Sequence, residues 1–128
     1  MACKGGYVLV VDDDVEIRHS LAEVVSGDFG HGVKLARDGV EALSILTCSP
    51  PPAFMLVDLM MPRMDGAELV EQMIRKPALA DIPFCVMTAS IPSDARLSRM
   101  NSVFARTLSI LRKPFDLDEL MNLIDRYC

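Results

Sequence analysis

The sequence has 128 residues, 51% of them hydrophobic and 24% charged, which suits one packed core and excludes a disordered chain. Its formal net charge of −5 excludes the basic footprint with which nucleic-acid binders hold phosphate. The longest apolar run near the N-terminus, Tyr7 to Val11, is too short for a signal peptide or a membrane span. A single cytoplasmic domain over residues 1–128 is therefore expected, with neither membrane nor direct nucleic-acid contact. Cys3, Cys48, Cys85 and Cys128 form no C-x-x-C pair and have no histidine at zinc-ligand spacing. They read as reduced thiols used as small buried hydrophobes.

Short apolar runs alternate with amphipathic stretches. Tyr7 to Val11 is apolar throughout, as a strand buried on both faces must be. Ile17, Leu21, Val24 and Val25 then fall at helical spacing. Val33 to Ala36 predicts a second strand and Val40 to Leu46 a second helix, stopped by Pro50, Pro51 and Pro52. Phe54 to Val57 predicts a third strand, and Leu69, Val70, Met73 and Ile74 a third helix. Pro83 to Met87 reads as a fourth strand. Leu97, Met100 and Phe104 suggest a fourth helix with less regularity. Ile110 and Leu111 centre a fifth strand, and Leu117, Leu120, Met121 and Ile124 form the stripe of a last helix. Five strand-then-helix repeats predict a doubly wound α/β fold, a parallel sheet with helices on both faces, because parallel neighbours need right-handed crossovers.

In such sheets ligands bind outside the carboxyl ends of the strands. Just past those ends lie Asp12, Asp13 and Asp14, then Asp58, then Thr88, then Lys113 and Pro114. Two carboxylates about 4 Å apart repel by roughly 4 kcal/mol at an effective dielectric near 20. A cluster of three therefore calls for cations. Mg²⁺ suits it as a hard, oxygen-preferring ion, and Lys113 offers a positive charge able to pair with Asp58. A carboxylate nucleophile, a metal, an ammonium and a hydroxyl are what phosphoryl transfer requires. Each residue also has a plainer use. One of Asp12 to Asp14 is expected to cap a helix, Asp65-Gly66 to form a turn into the third helix, and Thr88 and Lys113 serve equally well as a strand residue and a surface lysine. Their joint arrival on one rim is what favours chemistry.

These residues resemble the receiver domains of two-component signalling across nearly the whole chain. The matching pieces are Val10 to Asp14, Lys34 to Leu43, Asp58-Leu59-Met60-Met61-Pro62-Arg63-Met64-Asp65-Gly66, Met87-Thr88-Ala89 and Lys113-Pro114-Phe115. The string from Asp58 to Gly66 is highly specific, and the others are strong in their order. The resemblance implies a flavodoxin-like sheet of order 2-1-3-4-5. It implies Asp58 as phosphoacceptor, Mg²⁺ held by Asp13 directly and Asp12 largely through water, and the Met60 carbonyl completing the protein ligands. It further implies that Thr88 donates to the phosphoryl group, Lys113 pairs with it, and small Ala89 leaves the acceptor open to a phosphohistidine. A cis Lys113-Pro114 peptide would aim the lysine inward. The implied partners are a histidine kinase or histidine phosphotransfer protein upstream, an output partner or fused output domain, and a second copy of the chain, since activated receivers commonly dimerise. The domain would then be a switch and not an enzyme in its own right.

Two departures count. Ile110 stands where the family often has an aromatic residue, and Ala105-Arg106-Thr107-Leu108 replaces a usual Gly-Ala run, within a Thr88-to-Lys113 interval longer than is customary. An aromatic switch is thereby put in question, and the surface of the fourth helix, fifth strand and last helix is expected to be atypical. Two other functions stay open. A phosphatase of the haloacid-dehalogenase type is suggested by Asp12-x-Asp14, although Glu16 stands where that family wants Thr or Val. A receiver-like docking module would work without phosphorylation. A flavin binder shares the architecture but would need a Gly-rich phosphate loop and more aromatic residues.

Overall fold

In a computed structural model, residues 6–28, 32–89, 103, 105–113 and 116–127 are described. The strands are β1 (Tyr7–Val11), β2 (Gly32–Ala36), β3 (Phe54–Asp58), β4 (Phe84–Thr88) and β5 (Ile110–Arg112). The helices are α1 (Val15–Glu23), α2 (Gly39–Cys48), α3 (Gly66–Ile74) and a C-terminal helix (Leu117–Tyr127). The five strands form one parallel sheet in the order β2-β1-β3-β4-β5, as expected.

Side-chain alternation sorts the core into two layers. From the central strands, Val8, Val10, Phe54, Leu56, Cys85 and Met87 face one side of the sheet, where they meet Leu21 and Val25 after α1 begins and Leu120 and Ile124 of the C-terminal helix. Leu9, Val11, Met55, Val57, Phe84 and Val86 face the other side, against Ala42 and Leu46 of α2 and Leu69, Val70 and Met73 of α3. Both faces are dry, which is why these strands read as unbroken apolar runs. Each such side chain contributes roughly 1.5–3 kcal/mol by leaving water.

Three details depart from the expected elements. The first helix gives way to a π turn at Val24–Asp28, although Val25 is still buried. In the last helix Met121 faces outward, and Leu123 packs beside Leu120 and Ile124 in its place. Cys48 is an exposed free thiol and not a buried one, whereas Cys85 is buried and its thiol is pushed up to about 11, chiefly by burial. Leu97, Met100, Phe104, Cys3, Cys128 and the Lys113-Pro114 peptide bond involve residues outside the described ones. No helix among the described residues is long and apolar enough to cross a membrane.

Candidate functional site

The register of the sheet delivers the rim residues side by side. Val11 pairs with Val57, so Asp12 leaves β1 next to Asp58, the last residue of β3. Asp58 in turn pairs with Met87, and Thr88 with Arg112, which brings Lys113 to the same end. Backbone bonds lock these ends: Leu59 N–H donates to Met87 O at 3.1 Å, and Lys113 N–H to Thr88 O at 2.8 Å.

Asp12, Asp13 and Asp58 place carboxylate oxygens within 4.8 Å of one another. Asp12 and Asp58 are buried, and Asp13 is exposed. Lys113 Nζ donates to Asp12 Oδ2 at 2.7 Å and to Asp58 Oδ2 at 3.2 Å, so the ammonium expected beside Asp58 bridges two carboxylates and lies nearer to Asp12. Burial opposes the charge on Lys113, but Asp12 and Asp58 outweigh it and raise the ammonium above its ordinary value. Burial, followed by the negative charge of Asp12, pushes the Asp58 carboxyl up to about 7, against the pull of Lys113 and of the Met60 N–H. Among the described residues, the ammonium at this cluster is that of Lys113, which reaches two of the three carboxylates. An all-oxygen donor set carrying excess negative charge, one member of it buried and reluctant to ionise, fits a hard divalent cation.

A cavity of about 450 Å³ opens beside this cluster, lined by Asp13, Asp14, Asp58, Met60, Ala89 and Lys113, with Ile17 on the α1 side. Thr88 is fully buried at the tip of β4, one residue before Ala89 of the cavity wall. The Met60 N–H donates to Asp58 Oδ1 at 3.2 Å, which orients the carboxyl. Asp14 takes the capping role foreseen for one of the three aspartates. Its Oδ1 accepts from Glu16 N at 2.9 Å and Ile17 N at 3.3 Å, so the second acid of Asp12-x-Asp14 is engaged at the start of α1. Asp65 caps α3 in the same way, accepting from Glu68 N at 2.9 Å.

Two residues near the site were not singled out by the sequence. Arg18 Nη1 donates to the Asp12 carbonyl at 2.8 Å, bracing the acidic turn from one helical turn away. Arg63 Nε donates to Asp38 Oδ2 at 2.7 Å across two loops. The position of Arg18 one turn into α1 was a signal available in the helical spacing; the Asp38–Arg63 pair had none, because its members are 25 positions apart.

Known proteins resemble this chain in sequence and fold. Response regulator MprA of Mycobacterium avium is 41% identical over 114 residues, which cover 89% of this chain and 47% of that protein. Response regulator MprA of Mycobacterium tuberculosis is likewise 41% identical over 114 residues, covering 89% of this chain and 46% of that protein. The chain thus spans about half the length of these relatives. Among solved structures, the chemotaxis protein CheY4 of Vibrio cholerae superposes with a TM-score of 0.81 at 27% identity, covering 96% of this chain and 98% of that one. The sequence profile described as response regulator receiver domain matches residues 8–125, a span that contains Asp12, Asp13, Asp58, Thr88 and Lys113. By sequence, fold and the acids gathered at its strand ends, the chain belongs to the response regulator receiver domain family of two-component signalling.

Proposed function

We propose that the chain, as a single receiver domain, is a Mg²⁺-dependent phosphoryl switch whose acceptor is Asp58. The observation that carries this reading is the buried Asp58 carboxylate, open to the cavity on one side and bonded to Lys113 on the other. Asp13 and Asp58, with Asp12 and the Met60 carbonyl, would hold Mg²⁺, which when bound neutralises charge on the phosphoryl oxygens. An Asp58 oxygen attacks phosphorus, the P–N bond of a donor phosphohistidine breaks, and the leaving imidazole takes a proton. Lys113 pairs with the transferred group and the Thr88 hydroxyl donates to it. Exposed Ala89 adds little bulk at the cavity wall, which suits docking of a donor protein.

On this reading the chain is cytoplasmic and its upstream partner is a histidine kinase or histidine phosphotransfer protein. The output is a protein partner or a fused output domain, consistent with the greater length of the MprA proteins, and a homodimer of the active form is a further outcome. Incubation with Mg²⁺ and acetyl phosphate, read by intact mass, tests the reading. Wild type should gain one phosphoryl group, and Asp58→Asn should gain none. Label on Asp58→Asn at the wild-type rate, or ester turnover that depends on Asp12 instead, would sink it.

A further inference from the structure

The loop from Leu59 to Asp65 carries Met60, whose carbonyl is assigned above to the metal. Its ends are tied by Leu59 N–H to Met87 O and by Gly66 N–H to Leu59 O, each at 3.1 Å. Between them the backbone is strained. Arg63 has φ of 64°, the left-handed region that residues with a Cβ avoid.

Two attachments to the start of α2 hold this segment. Arg63 Nε donates to Asp38 Oδ2 at 2.7 Å, while Asp38 Oδ1 accepts from Glu41 N at 2.9 Å to cap α2. Asp38 is 3% exposed, so each of its oxygens is committed to one donor. The neighbouring Gly39 N–H donates to Met64 O at 2.9 Å, and a Cβ on Gly39 would lie 2.7 Å from that oxygen. The hydrogen bond from Arg63, above all, holds the Asp38 carboxyl below the usual carboxylate range.

We propose that the Asp38–Arg63 pair is a positioning device for the metal site, compensating the left-handed strain at Arg63 so that the loop carrying Met60 keeps its place beside Asp13 and Asp58. The inference rests on the metal reading above. Mg²⁺ demands near-ideal octahedral geometry, so a ligand oxygen that drifts with its loop weakens binding. Asp38 and Arg63 touch no reacting atom; they act through the loop.

Asp38→Asn keeps a good helix cap but has only one acceptor oxygen, which Glu41 N already uses. Arg63→Ala keeps the strained backbone without its hold. Arg63→Gly removes the strain itself. Mg²⁺ is titrated calorimetrically into the metal-free chain and each variant, with thermal midpoints measured alongside. Asp38→Asn and Arg63→Ala should bind Mg²⁺ about three- to tenfold more weakly, less than the roughly 10- to 100-fold of partners that touch a metal ligand directly, because this pair acts through the loop. Arg63→Gly should bind within about twofold of wild type, and adding Asp38→Asn to it should change affinity no further. Wild-type affinity in Asp38→Asn and Arg63→Ala, whatever their midpoints, overturns the inference while leaving the metal reading intact. So does a further loss when Asp38→Asn is added to Arg63→Gly. Failure of wild type to bind Mg²⁺ removes the metal reading and this inference together.

Discussion

Asp58 and Asp12 are both buried at the rim, and they compete for one ammonium. Lys113 sits closer to Asp12, 2.7 Å against 3.2 Å, and its pull on Asp58 is outweighed by burial and then by the Asp12 charge, which push the Asp58 carboxyl up to about 7. Burial and the neighbouring Asp12 charge favour its protonated form, and a cation at the rim would favour the ionised one. The unfolded chain titrates near the ordinary carboxylate value, so the folded chain binds this proton more tightly. Metal-free stability from this group is therefore intact below about pH 4, falls as pH rises through about 7, and is level above that. The upward shift already contains the pull of Lys113 and corresponds to roughly 4 kcal/mol, so Asp58→Asn should gain stability on the order of a few kcal/mol above neutrality. Thermal unfolding in EDTA should show Asp58→Asn more stable than wild type at about pH 8, with a clearly smaller advantage at about pH 5. An advantage equal at both pH values would mean that Asp58 is not the strained acid.

At the scale of elements, the β3–α3 connection is where close packing and chemistry meet. A Cβ on Gly66, at the first position of α3, would lie 2.7 Å from the Asp58 carbonyl oxygen and 3.1 Å from Leu59 Cα. In an open helix Gly→Ala gains up to about 1 kcal/mol, but here the obstructing atoms are backbone and overpacking costs about 1–3 kcal/mol, so the clash wins. Gly66→Ala should lower the thermal midpoint and slow phosphoryl uptake; a more stable variant with unchanged uptake would show that the loop yields freely. The central strands were legible because both of their faces are dry and leave continuous apolar runs. The acidic rim was legible because strand ends in a parallel sheet share one edge. The stop of α1 in a π turn was not, since Ile17, Leu21 and Val25 keep helical spacing across it. Nor was the left-handed Arg63, because arginine carries no preference for that region and its partner Asp38 lies on another loop. The stretch Ala105-Arg106-Thr107-Leu108 looked like drift from the family pattern, yet Thr107 Oγ1 accepts from Val86 N at 3.1 Å and donates to Ser109 O at 2.6 Å, joining β4 to the start of β5. A hydroxyl can do this only once the two strands are adjacent, which no local pattern reports.

Across the whole molecule, two apolar layers supply stability while one edge of the sheet gathers charge that opposes folding. The formal net charge of −5 adds to that opposition at the edge, where Asp12, Asp13 and Asp58 crowd within 4.8 Å. A cation that binds the folded chain and not the unfolded one must therefore stabilise the entire domain by mass action. At ten times its dissociation constant Mg²⁺ should add about 1.4 kcal/mol, which for a domain of this size is roughly 5 °C in thermal midpoint. Sodium chloride at matched ionic strength screens the same repulsion without occupying the site, so its effect should be much smaller. Asp13→Asn removes the one exposed carboxylate of the three and should abolish most of the Mg²⁺ increment while leaving the metal-free midpoint close to wild type. If sodium chloride reproduces the whole increment, or Asp13→Asn keeps it, then the rim is only a patch of screened repulsion, and the chemistry assigned to Asp58 loses the ion on which it depends.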